Sequence, residues 1–578
     1  MEAVKKLISE LNPEGYWRGE LSSSALSTAT ATFAIYLKDK KRCKETILKA
    51  LEWLANNANS DGGWGDSPDS SSNLSTTILA WSALSISEGM GENHTDVNKN
   101  AEKWIIQYIR NKNKNPKDSL TPANIANAVL NFYGDDKTFS APILMMCAAA
   151  GRLGDNGWKY VPQLPFELSI LPHSFFRIIK LPVVSYAMPA LIAIGIAKHA
   201  NRGDSLSPLS GLRQIIRKKS LKILAELQPE HGGFLEATPL TSFVLMGLTS
   251  ANIADSPVSD NCLNFILNSV RDDGSWPIDT NLATWLTALS VKALDIKDLS
   301  KDQQDSIRLW LLNQQFTVKH PFTKAAPGGW GWTNLPGSTP DADDTSAVLI
   351  ALHKLDNGTH QIKTAVRNAL QWLLDLQNSD GGIPTFCKGW GKLPFDRSCP
   401  DITAHTLYAL TLWQSSQNEK LQKKIDYASS KCLKYLKDSQ KSNGAWIPLW
   451  FGNQLREDKE NPVYGTSQVI IALAEYLKTD KKNEQENVSE LFKSGCRYLR
   501  SSQISQLSTE ELSLAVTALS YSDHPDDTKF VNKGRDILKK LNKFSPSPIG
   551  LYFASLWYSE KLYPLIFAAM ALKTQTKE

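Results

Sequence analysis

The sequence predicts an all-α fold built from repeated helix–turn–helix units. Apolar residues recur at three- and four-residue spacings along most segments, and glycine-containing turns separate these segments. A third observation is the content of 17 Trp residues, several of them directly after a glycine turn. One such unit cannot bury its own apolar face, so several units must stack. From the residues alone, a closed toroid of helix pairs and an open solenoid remain alternatives.

The repeat is most regular from about residue 290 onward. An aromatic residue followed by Leu occurs at Trp372, Tyr435 and Tyr498, at a constant spacing. Earlier copies are LEWLANNANSDGGW, LKILAELQPEHGGF and LNFILNSVRDDGSW. Each copy continues into a second amphipathic helix that begins near Ser, Thr or Asp, for example DTSAVLIALHKL. We expect the Gln and the aromatic residue of each turn to be structural, with Gln bonding the end of a neighbouring helix.

The composition excludes several classes of protein. Of the 578 residues, 42% are hydrophobic and 21% are charged, which is typical of a folded chain. A net charge of +5 gives no basic stripe, so we expect no nucleic-acid partner. Seven scattered cysteines predict neither a zinc site nor a disulfide framework. Without a signal peptide or a spanning segment, we expect a cytoplasmic protein, with peripheral contact to the inner face of a membrane left open.

An acidic cluster opens one of the predicted helices. Asp341, Asp343 and Asp344 lie in PDADDTSAVLIAL, where one of them is expected to cap the helix. A Mg²⁺ site is the alternative, since close carboxylates suit hard cations. Three carboxylates this close cannot all ionise cheaply, so one should keep its proton near neutral pH and act as a Brønsted acid. His405, one turn into the helix DITAHTLYAL, could hydrogen-bond that acid.

These motifs resemble those of a known family. PDADDT, preceded by GGWGWTNLPGST, resembles the DxDD motif of squalene–hopene cyclases and related class II terpene cyclases. The Gly–Trp repeats resemble the QW motifs of that family, and DITAH resembles the segment that carries its helper His. EGYWRGEL (14–21) and LYPLIFAAMAL (562–572) resemble its two terminal segments. The resemblance covers most of the chain and is weakest over residues 83–220.

The resemblance implies a fold of two α/α barrels with the active-site cavity between them. Residues 1–20 plus 295–578 would form the barrel that carries the DxDD motif, and residues 21–294 the inserted second barrel. The implied activity is protonation-initiated cyclisation of a linear isoprenoid, either a squalene-type polyprene or a prenyl diphosphate. A non-catalytic isoprenoid-binding barrel and a prenyltransferase-like enzyme are the alternatives.

The resemblance also implies roles for individual residues. Asp343 matches the proton donor, flanked by Asp341 and Asp344. His405 matches the hydrogen-bond partner of the acid, and Asp401 the acidic residue one turn before it. The positions that match substrate-binding aromatic residues are Trp332, Phe386, Trp450, Tyr464, Tyr552 and Tyr186. Aromatic faces suit this chemistry because they stabilise a carbocation without trapping it.

The sequence departs from the family pattern in three places. Leu79 stands where the family has a Glu that helps to reprotonate the acid, so the reprotonation route is open. The segment after Tyr186 is short and lacks the membrane-dipping channel segment, which favours a prenyl diphosphate. The loop 387–400 adds Lys388, Lys392 and Arg397, either as an anion site or as a solvated surface loop. Protonation needs no cofactor, whereas a diphosphate would bring in Mg²⁺. A homodimer is expected by analogy.

Overall fold

The chain folds into 24 α-helices and four very short strands over the part that the structure describes. A computed structural model describes residues 2–134, 137–201, 208–479, 485–552 and 555–573. Most of a linker predicted at 202–211 lies outside these residues. The helices of the first half are α1 (Glu2–Ser9), α2 (Ala25–Asp39), α3 (Lys44–Asn56), α4 (Leu74–Ala83), α5 (Ser87–Met90), α6 (Thr95–Asn113), α7 (Pro122–Tyr133), α8 (Lys137–Ala149), α9 (His173–Ile178), α10 (Val184–Asn201), α11 (Pro208–Leu227), α12 (Thr238–Ser250) and α13 (Pro257–Asn268).

The helices of the second half are α14 (Ala283–Ala293), α15 (Lys301–Asn313), α16 (Ala342–Lys354), α17 (His360–Leu376), α18 (Pro400–Trp413), α19 (Glu419–Ser439), α20 (Pro462–Leu477), α21 (Gln485–Ser501), α22 (Thr509–Leu519), α23 (Pro525–Lys539) and α24 (Tyr563–Leu572). The strands are β1 (Ser23–Ser24), β2 (Trp276–Pro277), β3 (Gly550–Tyr552) and β4 (Leu556–Tyr558), and they pair antiparallel as β1–β2 and β3–β4. The prediction of an all-α fold is confirmed.

The helices form two closed rings, which decides between toroid and solenoid. In the first ring α2, α4, α8, α10 and α12 pack in succession, and α12 returns to α2. In the second ring α14, α16, α18, α20, α22 and α24 pack in succession, and α24 returns to α14. Outer helices such as α3, α13, α19, α21 and α23 cover these inner helices. The predicted fold of two α/α barrels is therefore confirmed.

The boundary between the rings differs from the predicted one by one helix. The sequence division assigned residues 21–294 to the inserted barrel, which includes α14. In the structure α14 packs against α16 and α24, so it is an inner helix of the second ring. The N-terminal helix α1 packs against α24 and covers that ring from outside. We therefore place the boundary before α14, because each inner helix belongs with the neighbours against which it buries its surface.

The repeated Gln residues join each turn to the next outer helix. Gln377 Nε2 donates to the carbonyl oxygens of Gly381, in its own turn, and of Ala428, on the next outer helix, at 2.8 and 3.0 Å. Gln440 makes the same two bonds to Gly444 and Leu491. Ala428 lies in the middle of α19 and Leu491 in the middle of α21, so the Gln amides do not bond helix ends as expected. The contacts of the turn Gln are structural, but their partner is the middle of the neighbouring helix.

The repeated Trp residues fasten each turn between an outer and an inner helix. Trp446 Nε1 donates to the carbonyl oxygen of Leu436, at the end of the preceding outer helix, at 2.7 Å. Its backbone N–H donates to Thr466 Oγ1 on the following inner helix at 3.0 Å. The same pair of bonds is formed by Trp17, Trp64, Trp276 and Trp330. Five of the 17 Trp residues thus form a repeated connection between the two helix layers.

All seven cysteines are free. Over the described ranges, no helix combines the length and the apolar character that crossing a membrane requires. The apolar stretch that begins at Tyr186 forms the buried core of α10.

Candidate active site

A cavity of about 250 Å³ lies between the two rings. Its walls come from α8, α10 and α12 of the first ring and from α14, α16 and α24 of the second, together with the loops between them. Most of its lining is aromatic or aliphatic, and the side chains of Asp341, Asp343 and Asp344 reach it from the start of α16. The cavity therefore combines an apolar interior with a group of carboxylic acids.

The three aspartates have separate contacts. Asp341 is the N-cap of α16, and its Oδ1 accepts the backbone N–H of Asp344 at 2.8 Å. Asp343 Oδ1 lies 2.7 Å from His405 Nδ1, and the Asp343 side chain is 18% exposed. Burial raises the pKa of Asp341 to about 7, and burial together with the charge of Asp341 raises the pKa of Asp344 well above its usual value. At least one acid of the cluster thus keeps its proton near neutral pH.

His405 supports Asp343 from the neighbouring inner helix α18. Burial, followed by the nearby charge of Lys292, lowers the pKa of His405, so its imidazole is neutral at neutral pH. Trp285 packs edge-on against the imidazole with ring centres 5.9 Å apart. Asp401 lies one turn before His405, and burial followed by the charge of Asp343 raises its pKa to about 7. Its Oδ1 accepts a hydrogen bond from Cys399 Sγ.

The structure brings five of the six predicted aromatic residues to the cavity wall. Trp332, Phe386, Trp450, Tyr552 and Tyr186 all line it. Tyr186 stacks on Phe395 with ring centres 5.3 Å apart, and Trp450 Nε1 donates to Thr385 Oγ1 at 2.8 Å.

The sixth aromatic residue, Tyr464, lies one layer behind the cavity. It stacks on Phe451 with ring centres 3.9 Å apart, and Phe451 itself lines the cavity. Tyr464 can therefore influence the cavity through Phe451.

Several wall residues have no counterpart among the predicted ones. These are Trp285, Phe395, Phe451, Tyr558 and Tyr563. Trp285 Nε1 donates to Tyr563 Oη at 3.1 Å, and Tyr563 Oη lies 3.4 Å from Tyr558 Oη. Tyr563 is the second residue of LYPLIFAAMAL, a segment that the family resemblance marks, whereas Trp285 lies on α14 in a segment without such a motif.

A further carboxyl group, Asp279, lines the cavity away from the DxDD segment. Burial, followed by the charge of Glu236, raises the pKa of Asp279 well above its usual value. The side chains of Trp332 and Tyr552 lie next to this carboxyl group. This rise in pKa favours the neutral carboxyl group over a negative charge against the apolar wall.

The three predicted anion-binding residues are separated in the structure. Lys388 lines an exposed pocket outside the cavity, together with Arg177 and Lys431. Lys392 and Arg397 are exposed on the same loop and are not among the residues that line this pocket. The chain makes a turn at residues 394–396, between Lys388 and Arg397.

A metal site is not evident in the described part of the chain. There, no three His, Cys, Asp or Glu side chains are grouped so that they could hold a metal ion. Leu79, at the position of the expected relay Glu, is fully buried in α4.

Two family profiles match the chain. The profile described as the squalene–hopene cyclase C-terminal domain matches residues 282–505, and the one described as the N-terminal domain matches residues 1–108. The first of these ranges begins next to α14, in agreement with the boundary that the helix packing gives.

Individual relatives match over most of the chain at low identity. The chain is 26% identical over 565 residues to enfumafungin synthase from Hormonema carpetanum. This match covers 83% of the present chain but only 40% of the length of that protein. The chain is 23% identical over 541 residues to squalene–hopene cyclase from Alicyclobacillus acidocaldarius, covering 82% of this chain and 77% of that protein. The solved structure of abietadiene synthase from Abies grandis is 13% identical, with a TM-score of 0.47 over 93% of this chain and 68% of that one.

Proposed function

This chain belongs to the squalene–hopene cyclase-like family of class II terpene cyclases, and we propose that it cyclises a linear isoprenoid by protonating one of its double bonds. Asp343 is the acid in this proposal. The observation that carries it is the contact of Asp343 with His405 at 2.7 Å, at the edge of an apolar cavity between the rings. A strong acid in a dry site is what alkene protonation requires.

The first step transfers one proton from Asp343 to the substrate. In the proposed step the acidic proton lies on Oδ2 of Asp343, and the Nδ1–H of the neutral His405 donates to Oδ1. The π electrons of the terminal alkene form the new C–H bond, which leaves a carbocation on the substrate and a carboxylate at Asp343. The N–H of His405 stabilises that carboxylate.

The aromatic wall controls the steps that follow. Each neighbouring alkene attacks the cation in turn, so that one C–C bond forms and the positive charge moves along the chain. Ring faces such as those of Trp332, Phe386 and Trp450 each stabilise a desolvated cation by about 0.5–2 kcal/mol. Loss of a proton or addition of water ends the sequence. The raised pKa of Asp279 suits this path, because a carboxylate beside the cation would capture it.

Product analysis of an acid variant tests the proposal. Purified protein is incubated with squalene, farnesyl diphosphate and geranylgeranyl diphosphate, with and without Mg²⁺, and products are read by gas chromatography–mass spectrometry after phosphatase treatment. We expect a cyclic product from the wild type and about 10²–10⁴-fold less from Asp343→Asn, since this is what a positioned general acid typically contributes. Asp302→Asn, an exposed acid in the first turn of α15, is the matched control and should retain activity.

The same experiment separates the alternatives. An isoprenoid that binds and is released unchanged would favour a non-catalytic binding protein, and stoichiometric zinc with prenyl transfer would favour a prenyltransferase-like enzyme. Full activity of Asp343→Asn would contradict the proposed mechanism. Peripheral membrane contact and a homodimer remain predictions.

A further inference from the structure

Beside the cavity, the surface carries a groove and a basic pocket that follow one another. Tyr186 and Phe386 line both the cavity and the groove. Arg177 and Lys388 line both the groove and the pocket. The shared residues show that the three spaces are neighbours, so a ligand that reaches from the cavity to the pocket has to pass Tyr186 and Phe386.

The pocket is strongly cationic. Five basic side chains and one carboxylate line it, and its other polar side chains are neutral. The basic side chains are those of Arg177, Lys180, Lys388, Lys424 and Lys431, and the carboxylate is that of Asp375. Lys424 Nζ donates to Gln371 Oε1 at 3.1 Å. None of the other four cations forms an ion pair with any described residue.

The positions of these cations are fixed by a contact between two distant segments. Trp390 Nε1, in the loop 387–400, donates to the carbonyl oxygen of Ile179 at the end of α9 at 2.6 Å. This bond holds Lys388 opposite Arg177 and Lys180, which lie more than 200 residues earlier in the chain. Lys424 and Lys431 lie on α19 two turns apart, so they face the same side of that helix.

Unpaired like charges in a concave surface repel one another, and a polyanion relieves this repulsion. Burial lowers the pKa of Lys388; the carboxylate of Asp375 opposes this effect, and the charge of Lys431 adds to it. A guanidinium fork and several ammonium groups suit the oxygens of a phosphate or diphosphate. A neutral hydrocarbon has no group that would use them.

We propose that this pocket binds the phosphate or diphosphate head of the substrate, with the isoprenoid tail passing Tyr186 and Phe386 into the cavity. Lys388 follows Phe386 by two residues, so their Cα atoms are at most about 7.6 Å apart. A head held by Lys388 is therefore one or two isoprene units from the cavity wall. This inference rests on the proposed function and narrows its substrate to a prenyl phosphate or diphosphate.

Binding of inorganic diphosphate tests the pocket without any catalysis. Isothermal titration calorimetry in Mg²⁺-free buffer should detect binding to the wild type, and the double variant Arg177→Gln/Lys388→Gln should bind at least tenfold more weakly. Lys434→Gln on α19, an exposed lysine outside the pocket, is the matched control and should bind like the wild type. Equal binding by the double variant would overturn the proposal.

Two further measurements identify the source of the phosphate. In steady-state kinetics with geranylgeranyl diphosphate, the double variant should raise KM at least tenfold, with little change in kcat. Sedimentation with vesicles of phosphatidylcholine, alone or with phosphatidylglycerol, measures lipid headgroup binding. If the double variant loses vesicle binding while KM and diphosphate binding are unchanged, the pocket serves a membrane lipid and the proposal is wrong.

Failure of this inference can be told apart from failure of the proposed function. Asp343→Asn should bind diphosphate as well as the wild type, since Asp343 lies in the cavity and not in the pocket. An Asp343-dependent product from squalene, with no diphosphate binding, would refute the pocket and leave the cyclase mechanism standing. Diphosphate binding without any cyclic product would refute the cyclase mechanism and leave the pocket standing.

Discussion

Three aspartates at the start of α16 share one helical turn but have different surroundings. Asp341 caps the helix, whereas Asp343 contacts His405. Asp344 follows Asp343 directly and is rotated from it by about 100° around the helix axis, so it does not face the same neighbours. One Oδ atom of Asp341 and one of Asp344 have no hydrogen-bond partner among the described residues. Burial of these atoms favours the protonated acids.

The cap residue gives a pH prediction. The folded-state pKa of Asp341 is raised to about 7 from 3.8, so its contribution to stability is fully present below about pH 4 and is lost as pH rises through 7. Between pH 5 and pH 7 this lowers the free energy of unfolding by on the order of 2 kcal/mol. Asp341→Asn keeps an oxygen for the cap and has no proton to lose. Urea unfolding at several pH values should show a flatter pH dependence in this variant.

Asp272→Asn is the control for this measurement, because Asp272 is an exposed acid in a turn of the first half. Its stability should change with pH as that of the wild type does. An Asp341→Asn protein whose stability has the wild-type pH dependence would show that Asp341 is ionised in the folded protein.

Contacts between site residues were predictable where short motifs carry both partners. PDADDT and DITAH indicated the pair Asp343 and His405, which the structure places in contact. The wall residues Trp285, Phe395 and Tyr558 were not predicted. Each lies in a different part of the chain, and nothing in its local sequence tells a wall position from an ordinary core position.

Each helix pair is connected to the next by the same few hydrogen bonds. Gln440 bonds the carbonyl oxygens of Gly444 and Leu491, and Trp446 bonds Leu436 and Thr466. Gly444 has a φ of +92°, which an L residue adopts only with strain, so this turn needs glycine. The connection links an outer helix, a turn and an inner helix.

Removal of one connecting side chain should therefore lower stability without affecting the chemistry. Gln440→Leu removes the bonds to the turn carbonyl of Gly444 and to the carbonyl of Leu491 within α21, which we expect to cost about 1–3 kcal/mol of unfolding free energy. Urea unfolding measures this, with product identity as the second readout. Gln506→Ala, at an exposed position after α21, should change stability by less than about 0.5 kcal/mol. A loss in both variants, or in neither, would contradict the structural role of Gln440.

Helix positions were predictable at this scale because apolar periodicity is a local property. The role of the turn Gln followed from its repeated position. The bonds from each Trp N–H to a Thr of the next helix were not predicted. They depend on how closely an inner helix approaches the preceding turn, and one sequence does not reveal that distance.

The whole molecule depends on closing the second ring across the chain termini. Trp17 is fully buried, its Nε1 donates to the carbonyl oxygen of Leu7, and its backbone N–H donates to Thr287 on α14. Since α1 packs on α24, the N-terminal segment holds α14 and α24 together. Both helices contribute to the cavity wall through Trp285 and Tyr563.

Trp17→Ala should consequently weaken ring closure. Removing a fully buried indole costs about 3–5 kcal/mol, so thermal unfolding should begin at a clearly lower temperature. The cavity wall between α14 and α24 should loosen, so the rate of cyclisation should fall. We expect this fall even well below the unfolding temperature, where nearly all of the variant is folded. Glu14→Ala, exposed in the same segment, is the control. Unchanged activity of folded Trp17→Ala would contradict this prediction, because it would show that closing the second ring does not affect the cavity.

The sequence by itself determined the helical repeat, the structural Gln and Trp positions and the acid motif, because each is written in a few neighbouring residues. Only the tertiary structure decided the ring to which α14 belongs, the full aromatic wall and the set of cations around Lys388. Lys388 lines the same pocket as Arg177, Lys424 and Lys431, whereas its loop neighbours Lys392 and Arg397 do not line this pocket. Such groupings join residues hundreds of positions apart, and packing between the rings is what brings them together.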